Sequence, residues 1–173
     1  MKNLKILFVL GLFTITGCTS STKEVEEVSS DENVELAKID RIKLVDLDGK
    51  PINLKELKGK RVFLNLWATW CKPCREEMPM LSGLHERLAG KGFTVLGIAM
   101  DDVQQAREFV DEFQISYPNA VGGVDVMATG VLYGNHSGLL PYSVLIDRSG
   151  IVRWTFLGEL ESSELEAQIN DLL

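Results

Sequence analysis

The sequence predicts an α/β domain built on a central mixed sheet flanked by helices, and three observations predict it. Val62-Phe63-Leu64-Asn65-Leu66-Trp67 is an apolar run rich in β-formers; it reads as a buried strand and leads into Trp70-Cys71-Lys72-Pro73-Cys74. After Cys74 the pattern becomes helical, with Leu81, Leu84 and Leu88 on one face, and a strand and a helix follow again. Near the end of the chain, Tyr142-Ser143-Val144-Leu145-Ile146, the turn Asp147-Arg148-Ser149-Gly150 and residues 151–156 read as a hairpin. Short βαβ units give parallel strands and the hairpin adds antiparallel ones, so the sheet is mixed.

Taken in order, residues 1–17 stand apart from the fold. Lys2 and Lys5 give a positive start, and Ile6-Leu7-Phe8-Val9-Leu10-Gly11-Leu12-Phe13 is too short to span a bilayer comfortably. Small residues then end in Ile15-Thr16-Gly17-Cys18, which resembles a bacterial lipoprotein signal with its lipobox. The resemblance implies cleavage before Cys18 and lipid attachment to it, with several acyl chains giving a stable membrane anchor. An uncleaved anchor helix, or an ordinary signal peptide with an incidental cysteine, are the alternatives; lipidation accounts best for the odd cysteine. Residues 18–35 are the lipidated cysteine and a flexible tether of Ser, Thr, Glu and Val without lasting period.

The domain is expected over residues 36–173. It opens with a strand at 42–47 and a turn at Asp48-Gly49-Lys50, then a short helix capped by Asn53 and closed by Gly59. The helix after Cys74 is expected to kink at Pro79 and end at Gly90. Residues 93–100 read as a second buried strand; Ala106, Phe109, Val110 and Phe113 follow at the spacing of an amphipathic helix. Residues 118–138 carry no firm pattern. A capping box, Ser163 with Glu166, is expected to start a last helix with Leu165, Ile169 and Leu172 facing in.

A net charge of −7 offers nothing basic to hold nucleic acid, and that class is discarded. The chemistry lies in Cys71 and Cys74. A helix start has unpaired N–H groups and the positive dipole end, so a Cys71 thiolate there is stabilised below the free value of roughly 8.5. Three-residue spacing puts Cys74 one turn along, within reach of a small disulfide, and Pro73 fits a first turn where no N–H is needed. A structural disulfide, half a zinc site or two small buried residues compete with this reading. Zinc needs further ligands, which Cys18, His85 and His136 do not supply at ligand spacing, so no metal is expected.

The element order, with WCxPC at the first strand–helix junction and a proline just before the hairpin, resembles the thioredoxin-like fold. The segment from Phe63 through Trp67-Ala68-Thr69-Trp70-Cys71-Lys72-Pro73-Cys74-Arg75-Glu76-Glu77-Met78-Pro79 resembles the TlpA/ResA branch of membrane-tethered, extracytoplasmic thiol-disulfide oxidoreductases, over roughly residues 36–173. The resemblance implies an N-terminal β extension and an insertion, residues 118–138, before a cis-proline. It makes Cys71 the attacking and Cys74 the resolving cysteine, exchanging through a mixed disulfide, with no cofactor. Glu77 matches the family acid, a partly buried carboxyl that could take the proton from Cys74; from spacing alone it would be a surface residue like Glu76. Where many thioredoxins hold a buried aspartate this chain has Asn65, which cannot shuttle a proton. Pro141 matches the cis-proline; Leu140-Pro141 is expected to lie against the disulfide and offer a backbone edge to the substrate. Trp70, Lys72 and Pro73 complete the substrate side, with Trp67 in the core.

The partners so implied are protein disulfide substrates, a membrane thiol-disulfide electron donor, and the membrane itself through the lipid on Cys18. The expected location is the periplasmic side of either the inner or the outer membrane. The negative charge of Glu77 opposes an oxidant and favours a reductase, serving apocytochrome c maturation or another exported thiol protein, whereas Lys72 pushes the other way. The rival readings are a disulfide oxidase or isomerase, a peroxidase (no Thr-x-x-Cys is present), and a copper-delivery module using the cysteines with His85 or His136, each otherwise a solvated side chain.

Overall fold

The computed structural model describes residues 44–170. The leader, Cys18 and the acidic tether lie outside the described residues, as do Ile42, Lys43 and Leu172. Within them a six-stranded sheet has the order β1-β4-β3-β2-β5-β6. The strands are β1 (Val45–Asp46), β2 (Arg61–Trp67), β3 (Phe93–Ala99), β4 (Asn119–Val121), β5 (Tyr142–Ile146) and β6 (Val152–Leu157). The helices are α1 (Lys72–Leu88), α2 (Val103–Glu112), α3 (Gly123–Leu132) and α4 (Ser162–Asn170).

β2 and β3 are buried at every position because the sheet is covered on both faces. β2 runs parallel to β3 and antiparallel to β5, and β5 and β6 form the expected hairpin. Side chains alternate along β2. Phe63 and Trp67 pack on the face that carries Met78 and Leu81 of α1, Phe109 of α2 and Leu165 of α4. Leu64 and Leu66 point to the other face, with Val126 of α3 and Tyr133 just beyond it. A thioredoxin-like mixed sheet with an N-terminal β extension is therefore present, β1 pairing antiparallel with β4.

Several expectations are corrected. Residues 118–138, the expected insertion before the cis-proline, carry elements the sequence pattern did not show: β4, which extends the parallel part of the sheet beside β3, and α3, which covers a face. The first strand is shortened to Val45–Asp46 within the described residues, because the Asp46 carboxylate accepts the N–H groups of Asp48 and Lys50 and turns the chain. α1 ends at Leu88, and a 3-10 turn carries the chain to Gly92 at φ 71°. Pro79 lies inside α1, where the sequence places it. Phe113 lies beyond α2 and is exposed, stacked on Phe109 at 4.4 Å. No capping box forms at Ser163, since α4 begins at Ser162 on the Glu161 carbonyl, and Glu166 pairs instead with Arg87.

One close approach fixes the end of β2. The indole Nε1 of Trp67 donates to Asn119 Oδ1 at 3.0 Å, and the asparagine side chain lies over Gly97, where any Cβ would run into its oxygen. A Gly97→Ala variant should therefore lose about 1–3 kcal/mol of stability through overpacking and loss of this bond, read as a lower denaturation midpoint at unchanged slope.

Candidate functional site

β2 ends at Trp67 and α1 begins at Lys72, so the intervening turn decides where the sulfurs sit. That turn is held from the neighbouring strand end. Thr69 donates both its backbone N–H and its hydroxyl to Asp101 Oδ2, at 2.7 and 2.6 Å, and Met100 N–H bonds the Trp67 carbonyl at 2.8 Å. Cys71 then occupies the N-cap of α1, and its sulfur accepts the Cys74 N–H at 3.3 Å. Cys71 and Cys74 are joined in a disulfide with Cα atoms 5.3 Å apart. Cys71 is 6% exposed and Cys74 is fully enclosed. Once the disulfide is reduced, the N–H contact favours the thiolate at Cys71, while apolar burial disfavours it at Cys74.

Glu77 lies one turn beyond Cys74 on the inward face of α1, together with Met78 and Leu81. It is only 2% exposed, more deeply buried than the partly buried carboxyl expected from sequence. Its Oε1 accepts from Asn65 Nδ2 at 2.6 Å and its Oε2 from the Leu160 N–H at 3.1 Å. Burial pushes the Glu77 carboxyl up to about 7; the Leu160 and Asn65 hydrogen bonds pull it down, and the charge of Glu159 adds a small upward push. A carboxyl poised there can take up or release a proton near neutral pH. Glu76, by contrast, faces solvent and pairs with Lys72 at 2.6 Å.

The other expected site residues surround the cysteines. Trp70 is 68% exposed beside Cys71, whereas Trp67 is buried. Lys72 is exposed and ion-paired, and Pro73 sits in the first turn of α1. The Leu140–Pro141 peptide is cis; Leu140 packs against the apolar cluster that includes both cysteines, and the Pro141 carbonyl accepts the Gly158 N–H. His85 is not a solvated side chain: it is half-buried and its Nδ1 accepts the Val95 N–H at 3.2 Å. Burial lowers its pKa, keeping it neutral. His136 is exposed, and among the described residues no three His, Cys, Asp or Glu side chains gather to hold a metal.

Three contacts escaped sequence reasoning. A polar residue inside an otherwise apolar strand was the available signal for the Asn65–Glu77 bond, and the Thr69–Asp101 pair carried only weak signal. The Leu160 contact uses a backbone N–H, which no residue type announces.

The AhpC/TSA family matches residues 36–155. This chain belongs to the AhpC/TSA family. Thiol-disulfide oxidoreductase ResA of Bacillus cereus is 34% identical, with 99% of each chain covered. Thioredoxin-like protein YneN of Bacillus subtilis is 30% identical over 73% of this chain and 74% of its own. Among solved structures, a thiol:disulfide interchange protein of the thioredoxin family from Chlorobium tepidum superposes with a TM-score of 0.65 at 27% identity, covering 76% of this chain and 94% of its own. A secreted thiol-disulfide isomerase from Corynebacterium glutamicum gives 0.66 at 30% identity, covering 75% and 84%. The protein is a thiol-disulfide oxidoreductase with a thioredoxin-like fold.

The buried carboxyl makes stability depend on pH. Glu77 moves from an ordinary 4.5 to about 7 in the fold, so the native protein binds its proton more tightly than the unfolded chain. The contribution is fully present below 4.5 and is lost as pH rises through about 7. The oxidised protein should lose about 3 kcal/mol across this window relative to a Glu77→Gln variant, measured as the difference between their denaturant stabilities at each pH.

Proposed function

We propose that this protein is a membrane-tethered, extracytoplasmic reductase of disulfides in exported proteins, with Cys71, Cys74 and Glu77 as its reacting groups. The observation that carries it is the buried carboxyl one turn from Cys74, beneath a cysteine pair at a helix start. In the reduced protein the Cys71 thiolate attacks one sulfur of the substrate disulfide. That bond breaks, a mixed disulfide forms, and the departing sulfur leaves as a thiolate and takes up a proton. Cys74 then gives its proton to the Glu77 carboxylate and attacks the Cys71 sulfur, releasing the second substrate thiolate and leaving the Cys71–Cys74 disulfide. Two electrons have passed to the substrate. A dithiol donor in the membrane restores the reduced pair.

Charge supports the direction. An oxidant stabilises its reduced, thiolate form, and a carboxylate near the sulfurs opposes that. Lys72, the residue that could favour an oxidant, spends its charge on Glu76. Trp70, Lys72, Pro73, Leu140 and Pro141 form the substrate side in this reading. The lipobox ending in Cys18 supports the tether, with residues 18–35 as its spacer before the domain at 36–173. Apocytochrome c, which must present reduced thiols, is one substrate that fits a reductase in this location.

Two measurements test the proposal. The Cys71–Cys74 potential, from equilibration in thiol buffers, should lie at or below that of thioredoxin, roughly −270 mV; a value near −120 mV makes the protein an oxidant. Cys74→Ser should accumulate mixed disulfides with partner proteins on non-reducing gels, and Cys71→Ser should not; the opposite pattern reverses the two roles.

A further inference from the structure

Asn65 occupies the middle of the central strand, opposite Gly97 on β3 and Ser143 on β5, and is fully buried. A side-chain amide in that position loses its hydration and must recover it from the protein. It recovers little. Its Nδ2 donates to Glu77 Oε1 at 2.6 Å, while its Oδ1 has no hydrogen-bond partner, and neither has the hydroxyl of Ser143 across the ladder. The strand's own hydrogen bonds are made by the backbone and do not use this side chain. Among the described residues, the one hydrogen-bonding use of the Asn65 amide is therefore Glu77.

We propose that Asn65 is a positioning residue for the exchange reaction: its amide holds the Glu77 carboxylate in place for proton transfer with Cys74. The proposal rests on the reading of Glu77 given above. The hold is two-sided. Oε1 is fixed from β2 and Oε2 from the Leu160 N–H in the loop after β6, so both oxygens are tied while the carbon chain comes from α1. An amide can donate to a carboxylate but cannot take its proton, so within the Asn65–Glu77 pair it is Glu77 that changes charge. The groups that act on it are Asn65 on β2, the Leu160 N–H, the charge of Glu159 and the neutral Tyr117, with Cys74 one turn away on α1. Burial, and then the charge of Glu77, hold Tyr117 well above its ordinary value, so it stays neutral; Glu159 opposes a charge on Glu77. With the Asn65 donor removed, the carboxylate loses a charge-assisted bond and keeps its proton to higher pH.

The test uses the full chain in detergent. The protonated Glu77 carboxyl is followed against pH by infrared difference spectroscopy in the oxidised state, where the cysteines are silent, its band assigned by loss in Glu77→Gln. The rate at which Cys74 resolves a mixed disulfide formed between Cys71 and a substrate thiol is measured over the same range. Asn65→Ala should keep the carboxyl band to a pH about one unit higher, and the rate profile should move with it. Asn65→Asp has the same size, opens no cavity, and should move both further by placing a second acid beside the first; it carries the test if the alanine variant does not fold. Titration and rate profiles that superimpose on wild type in either folded variant overturn the role of Asn65. A Glu77→Gln protein with wild-type rates at every pH overturns the Glu77 reading, and the role of Asn65 with it.

Discussion

The hydrogen bond from the Cys74 N–H to the Cys71 sulfur exists because β2 stops at Trp67 and α1 cannot start before Lys72. Between those points the chain has one tight turn, and Asp101 clamps it through two bonds to Thr69. The strand itself is immobilised by parallel and antiparallel neighbours along its length. The cap position that favours a thiolate is thus the free end of a strand buried at every position, and a change that shifted β2 along its register would carry the sulfurs with it.

Glu77 works against this enclosure. Burying a carboxyl is unfavourable, and its two hydrogen bonds only partly offset the cost, which is why its proton is held to about 7. A glutamine at the same place would carry no such penalty at neutral pH. Retaining an acid there sacrifices stability for a group that can change charge near neutral pH, one turn from Cys74.

The parts legible in the sequence were those with strong local patterns. The apolar run of β2, the WCxPC turn, the helical face of α1 and the hairpin each carry their own signal, and each formed. α3 was missed because it is apolar with glycines at 123 and 130, so it shows little amphipathic period, and β4 because it is three residues long. Ser163 offered a cap, but Ser162 reached the helix first. The inward turn of Glu77 was half visible: Cys74, Glu77, Met78 and Leu81 share helical spacing, yet the residue type argued for solvent. What no side chain encodes, the Leu160 N–H above all, became visible only in three dimensions.

The two faces of the sheet carry different parts of the protein. Both cysteines pack with α1, α2 and α4, while Val126 of α3 and Tyr133 belong to the opposite apolar cluster, and Leu140 touches both. α3 also exposes Met127 and Val131 to solvent. The packing around the sulfurs and the outer surface of α3 thus lie on opposite faces of the sheet. Changes to the exposed side chains of α3 can therefore reshape the surface on that face while leaving the packing beneath the sulfurs untouched.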